Sequence, residues 1–459
     1  MVRVIAACML LFVSPLVAAD DNLSLPERAR LYLLDLIKFD TTNPPGNETR
    51  AAEYLEQIAS SHGISGELLG PDPKRLNFVA RLKGSGRGRP LLLMAHTDVV
   101  PADRAQWSVE PFRAIQRNGF IYGRGAIDDK SLLAAEMAVI VEMKRRNIQL
   151  NRDIIIVAEA DEEAGSSGIQ WLINQAWHKI DAEFALNEGG YVLETQRGLI
   201  YNVQTCEKVP TRVTLTARGT AGHGSLPRAD NPVVRLARAI TRLTEADQPV
   251  HLNPTTRRYL REVAKLDDFT WLAPLLRKLE NPATANAAAD QIRARDPEIE
   301  AMLRTSVSPT MLKAGTKINV IPNAAEAQVD VRRLPGESKE EIVARFRQIV
   351  NDSSVEVNLA GGQQMPATDP SPLTTPLYMA IDHVVKHNPG DVVLPYMSRG
   401  ATDGSFLRAR GMAVYGVPIF RKEAGDGYAH GNDERISPKN LEDGVELLWQ
   451  IVMQAAARE

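Results

Sequence analysis

The apolar residues of this chain fall into two textures. Up to about residue 188 they come in short unbroken runs: LNFVARL at 76–82, PLLLMAH at 90–96, RDIIIVAEA at 152–160 and AEFALNE at 182–188. Helical stretches separate these runs, chiefly DKSLLAAEMAVIVEMKRR (129–146) and SSGIQWLINQAW (166–177). Strands that are apolar on both faces and alternate with helices predict a mostly parallel sheet covered by helices on both sides. Two further helices are expected over residues 24–60, parted by the turn TTNPPGNE; the first opens at Ser24 with Pro26 in its first turn.

From about residue 210 the runs give way to alternation. TRVTLTARG (211–219), SPTMLKAGTKINVI (308–321), AEAQVDVRRL (325–334) and SVEVNLAG (354–361) place polar and apolar residues in turn. That period of two predicts strands with one wet face, here a four-stranded antiparallel sheet. Helices over 231–246 and 338–352 are expected on one side of it, and residues 250–305 read as a charged, Ala- and Leu-rich helical excursion. After 362 the first texture returns, with MAVYGVPI (412–419) as a strand. The expected fold is therefore α/β: a main domain over 20–210 and 362–459, and an inserted α+β lid domain over 211–361.

A chain of 459 residues has room for two or three domains. Its net charge of −3, with 24% charged residues, offers no basic excess for nucleic acid. MVRVIAACMLLFVSPLVAADD pairs Arg3 with an apolar run and a small-residue end, the layout of a signal peptide cleaved after Ala19. The run is shorter than the ~20 residues of a membrane span, so export to the periplasm or medium is expected, without a stable membrane anchor. Of the two cysteines, Cys8 lies in that segment and Cys206 stands alone. No internal disulfide is expected, and any metal must be held by histidine and carboxylate.

Such residues gather where strands should end, the place where loops converge in an open α/β sheet. LLLM runs into His96 and Asp98, DIIIVAEA into Asp161, Glu162 and Glu163, and AEFALN into Glu188. His430 follows the last strand, and Asp128 and Asp129 precede a long helix. Nitrogen and oxygen donors without thiolate suit Zn²⁺, with Co²⁺ or Mn²⁺ as substitutes. Two histidines and three carboxylates exceed the needs of one catalytic zinc. They suit two cations about 3.5–4 Å apart, bridged by a carboxylate and a water.

AHTDVVP (95–101), W-x-x-x-PF (107–112), GFIYGRGAIDDK (119–130), DEEAGSSG (161–168) and GHGSLP (222–227) resemble the zinc-dependent family of aminoacylases, carboxypeptidase G, succinyl-diaminopimelate desuccinylase and carboxypeptidase S. FIYGRGAIDDK, LNEGG and KAGTKINVIP (313–322) look closest to the carboxypeptidase S and secreted N-acyl-amino-acid hydrolase branch. The resemblance implies that His96 and Glu188 bind one zinc, that Glu163 and His430 bind the other, and that Asp128 bridges them. It implies that Asp98 accepts a hydrogen bond from His96, that Glu162 is the general base, and that the Asp128–Asp129 peptide is cis. Spacing alone leaves the roles of Glu162 and Glu163 interchangeable.

By the same resemblance His223 stabilises the tetrahedral oxyanion, often in a partner subunit's site, and Asn319 and Arg332 hold the substrate. A homodimer through the lid domain follows from it. One position departs: many relatives carry an arginine two residues after the Asp of a TD pair, where SRGATDGSFL (398–407) has Ser405. The leading expectation is hydrolysis of an N-acyl amino acid or of a short peptide at its C-terminal residue. A dipeptidase or aminopeptidase recognising a free amino end is the alternative. A non-catalytic peptide or zinc carrier is disfavoured by Glu162. A serine hydrolase built on Ser225 lacks the strand–nucleophile–helix setting.

Overall fold

A computed structural model describes residues 22–361, 365–423 and 429–457; the expected signal segment 1–19 lies outside them. The described residues form two compact units, one falling within residues 1–181 and 423–459 and the other within 182–422.

The expected α/β class is what the chain adopts. In the first unit the strands lie in the order Gly66–Leu69, Asn77–Leu82, Ile154–Glu159, Leu91–His96. Leu91–His96 and Ile154–Glu159 pair in parallel, with His96 opposite Glu159. Every residue of both strands is buried, which explains their unbroken apolar runs. The helix Lys130–Arg145 is buried along nearly its whole length and packs against Leu25–Ile37 and Pro438–Ala456. Ser24 and Glu27 close a capping box at the start of Leu25–Ile37, satisfying backbone donors that would otherwise be orphaned. Among the described residues no helix is long and apolar enough to cross a membrane.

The second unit holds strands of a mostly parallel sheet, a four-stranded antiparallel sheet and the two-stranded pairing of Gly222–His223 with Val320–Ile321. In the first, Phe184–Asn187 runs parallel to Ala413–Gly416, and Leu199–Glu207 runs parallel to Val392–Ser398. Neither Leu199–Glu207 nor Val392–Ser398 stands out in the sequence, and the reasons differ. The first carries buried Asn202, Gln204, Thr205 and Glu207, which interrupt an apolar run. The second contains Pro395 yet lies at the sheet's end, where proline is tolerated.

The four-stranded sheet is the antiparallel one expected from alternation, ordered Ser306–Ala314, Ala324–Arg333, Val209–Arg218, Val355–Leu359. Helices Pro232–Glu245 and Lys339–Val350 pack on it over Val213, Leu215, Val329, Val331 and Phe346. The single strand expected over 308–321 is broken into Ser306–Ala314 and Val320–Ile321. Gly315 has φ +63° between them, a left-handed turn that glycine adopts freely. The excursion is helical, as expected. Its apolar core of Tyr259, Leu260, Leu275 and Ile292 is shared with Leu394, Tyr396 and Met397 of the first sheet.

Glu188 leaves the sheet at a tight backbone crossing. A Cβ on Gly416 would stand 2.5 Å from the Glu188 carbonyl oxygen, 2.6 Å from Gln204 Cβ and 2.7 Å from the Gly190 nitrogen. Gly416→Ala must therefore push the Glu188 turn away, and overpacking of this kind costs about 1–3 kcal/mol. The expected outcome is a urea midpoint lowered to match; an unchanged midpoint would show that the crossing is slack.

Candidate metal centre

Four of the expected ligands lie in the first unit and converge there. His96 ends a buried strand, and its Nε2 stands 2.9 Å from Asp128 Oδ1. The other oxygen of Asp128, Oδ2, lies 3.3 Å from His430 Nε2, which is also 3.1 Å from Glu163 Oε1. One carboxylate thus offers one oxygen to each of two imidazoles. Donor atoms of His96, Asp128 and Glu163 all fall within 4.8 Å of one another, and a Glu162 carboxylate oxygen comes within the same distance of a His96 ring nitrogen. The Asp128–Asp129 peptide is cis.

This donor set fits a pair of divalent cations. It is made of imidazole nitrogen and carboxylate oxygen with no thiolate, and Asp128 has the placement of a bridge. Burial works against charge on Asp128, yet hydrogen bonds from His430 and His96 hold its carboxyl well below the usual range. Hydrogen bonds to Asp128 and Glu163 push the His430 imidazole up to about 10. A cation taken up by that nitrogen must therefore displace a proton.

The support around these groups is polar and buried. His96 Nδ1 lies 2.9 Å from the main-chain carbonyl of Asp98 and 3.6 Å from its carboxylate. The carbonyl is thus the nearer acceptor, and it fixes which ring nitrogen faces Asp128. The Asp98 carboxylate is turned to the next loop, accepting from the N–H groups of Glu162 and Glu163 at 3.1 and 3.0 Å. Burial opposes its charge, but His96, Asn43 and the Glu163 N–H together keep the carboxyl below its usual range.

Three supporting residues escaped the sequence reading. Asn43 Nδ2 donates to Asp98 Oδ2 at 2.7 Å and to Asp161 Oδ1 at 2.9 Å. Arg75 joins Asp161 to the buried Glu48 at 2.8 and 2.6 Å. Glu434, fully buried, accepts from the N–H groups of Gly125, Ile127 and Asp128 and pairs with Arg124 at 2.6 Å. Burial pushes its carboxyl up. The one signal for Glu434 was its place four residues after His430 in HGNDE; Asn43 and Arg75 gave none.

The remaining expected residues belong to the second unit. Glu188 follows the buried strand Phe184–Asn187. His223 and Asn319 are neighbours: Gly222–His223 pairs with Val320–Ile321, and the Gly224 N–H donates to the Asn319 carbonyl at 2.8 Å. His223 is exposed, its Nδ1 2.7 Å from Ser225 Oγ. Arg332 lies on a different strand, with its Nε 3.0 Å from Asp330. Ser405 is buried.

A strand-end centre of histidines and carboxylates on an α/β scaffold is the mark of a metal-dependent hydrolase, and similarity narrows the class. Residues 92–454 match the model of peptidase family M20/M25/M40. The chain belongs to that family of metallopeptidases and hydrolases. It is 29% identical over 381 residues to the human "N-fatty-acyl-amino acid synthase/hydrolase PM20D1", covering 80% of this chain and 74% of the relative. It is 26% identical to "Probable carboxypeptidase S-like 2" of Dictyostelium discoideum, covering 79% and 71%. Among solved structures it resembles the M20 family metallo-carboxypeptidase Sso-CP2 of Sulfolobus solfataricus, with TM-score 0.71, 20% identity and coverage of 93% and 98%. That last likeness concerns the fold.

Asn43 supplies a direct check. Asn43→Leu keeps the bulk but leaves two buried carboxylates without a shared donor. Loss of such a supporting partner weakens metal binding by about 10–100-fold. Competition against a chelating indicator should show that loss; equal affinity would mean that Asp98 holds the loop without Asn43.

Proposed function

We propose that this protein is a dinuclear zinc amidohydrolase that cleaves N-acyl amino acids, or short peptides at their C-terminal residue. The observation that carries the reading is Asp128 set between His96 and His430, with Glu162 beside His96. His96, Asp128, Glu163 and His430 would hold the cations, and Glu188 is the fifth proposed ligand. Bound there, they would acidify a water and polarise the amide carbonyl. Co²⁺ or Mn²⁺ would serve in place of zinc.

The protein's own part is proton management. Glu162 takes the proton of the attacking water as the new C–O bond forms. It then delivers that proton to the departing nitrogen as the C–N bond breaks, leaving a carboxylate and an amine. Asp98 holds the backbone of Glu162 and so aims the base. His223 would donate to the oxyanion, and Asn319 and Arg332 would bind the remainder of the substrate. The similarity to an N-fatty-acyl-amino acid hydrolase and to a carboxypeptidase S-like protein supports the substrate class.

Glu162→Gln tests this assignment on N-acyl amino acids and on blocked and free dipeptides. Turnover should fall by about 10²–10⁴-fold, the share of a general base, while the metal content of the purified protein stays at two zinc ions. Undiminished turnover would remove Glu162 from the mechanism, and preference for a free amine would favour a dipeptidase.

The expected homodimer is part of the proposal. Ser306–Ala314 is an edge strand with Met311 67% and Leu312 69% exposed, and Val233 and Val234 stand out on the helix that packs against it. An exposed apolar edge is a template for pairing, and a second copy of this chain is the occupant proposed. Sedimentation should give a dimer, with Met311→Lys plus Leu312→Lys shifting it to monomer. A monomeric wild-type protein would end this part of the proposal.

A further inference from the structure

Beside the turn that carries Glu188 lies a buried polar network that the proposed mechanism does not use. Glu207 ends the strand Leu199–Glu207 and is buried. Its Oε1 stands 2.9 Å from Arg408 Nη2, and its Oε2 accepts from Thr402 Oγ1 at 3.0 Å and from Gln204 Nε2 at 2.5 Å. Arg408 is itself held, its Nε donating to Thr368 Oγ1 at 3.1 Å. Gln204 thus meets an anchored acceptor, and chemistry orients its amide. The NH2 group must face the carboxylate, which turns Oε1 away from it.

That oxygen meets the Glu188 turn. A Cβ on Gly189 would stand 1.8 Å from Gln204 Oε1, so the amide oxygen fills the place a side chain would take. Gly189 also has φ +97°, a conformation that glycine adopts freely. Just before the turn, the Val417 N–H donates to the Asn187 carbonyl at 2.8 Å. The turn is therefore confined by Gln204 on one strand and by the end of Ala413–Gly416 on another.

Packing alone does not explain an amide at this position. Gln204 is 1% exposed, and its Oε1 has no hydrogen-bond partner among the described residues. A buried acceptor without a donor destabilises a fold. Methionine would fill a similar volume without that cost. What methionine lacks is a direction imposed by Glu207. The hydrogen bond makes Gln204 a strut, with one end on a buried ion pair and the other against the turn of a proposed ligand.

We propose that Gln204 is a positioning residue for metal binding: braced by Glu207, Arg408 and Thr402, it holds the Glu188 turn in place before a cation arrives. This rests on the reading of Glu188 as a ligand and identifies what preorganises it. The energy of the unpaired oxygen is spent on rigidity at the site, which is how supporting residues raise metal affinity.

Stepwise zinc affinities of the full chain, measured by competition with a chelating indicator, test the proposal through a double-mutant cycle. Gln204→Met should weaken one of two zinc ions by about tenfold or more, as loss of a supporting partner does, and leave the other unchanged. In a Glu188→Ala background the same substitution should have no further effect, because its route runs through Glu188. Thr402→Val, which removes one brace of Glu207, should weaken the same ion by a smaller factor, and Thr402→Ser should restore it. This pair decides the matter if Gln204→Met does not fold: equal affinities in the two variants would overturn the strut. Unchanged affinities in Gln204→Met, equal weakening of both ions, or the same loss with Glu188 present and absent would overturn the positioning role while leaving Glu188 a ligand. If Glu188→Ala costs no zinc affinity, the ligand reading fails and the strut falls with it.

Discussion

Asp128 sets the constraint that the rest of the first unit obeys. Its two oxygens face two imidazoles, His96 on one side and His430 on the other. A carboxylate can serve two centres only if its own backbone is held still. Glu434 does that by accepting three main-chain N–H groups of residues 125–128 while pairing with Arg124. His430 stands four residues before Glu434, so the loop that brings one imidazole also brings the group that steadies the bridge.

Gathering acids has an electrostatic cost, and the surroundings show how it is met. Asp98, Asp128, Glu163, Asp161 and Glu48 crowd into one region, with Asp98, Asp161 and Glu48 buried. Each is answered by a donor: main-chain N–H groups and Asn43 for Asp98, Arg75 for Asp161 and Glu48, and imidazoles for Asp128 and Glu163. Because buried polar groups are expensive when unpaired, these donors are as necessary as the proposed ligands. They preorganise the loop that carries Glu162 and so connect packing to proton transfer.

The second unit makes a different use of backbone. Glycines at 189, 190 and 416 let strands cross closely where Glu188 leaves the sheet. The helical excursion buries its own apolar face on Leu394, Tyr396 and Met397, leaving Glu298 at the rim with Arg399 and Lys422. Its packing therefore sets one carboxylate of the excursion against two cations of the sheet region.

Periodicity made much of this legible in advance. Runs such as LLLMAH and IIIVAE marked strands buried on both faces, and VTLTAR and AQVDVR marked strands with one wet face. Short-range order is written in local side-chain pattern because burial repeats with the period of the element. The proposed ligands stood out for the same reason, as ionisable groups at the ends of apolar runs. What local pattern could not determine was partnership between distant positions. That Asn43 bridges Asp98 and Asp161, 55 and 118 residues away, and that Glu434 carries Asp128, 306 residues away, follow only when distant segments are folded together. A hydrogen bond depends on distance and direction in space, and neither quantity is carried by spacing along the chain.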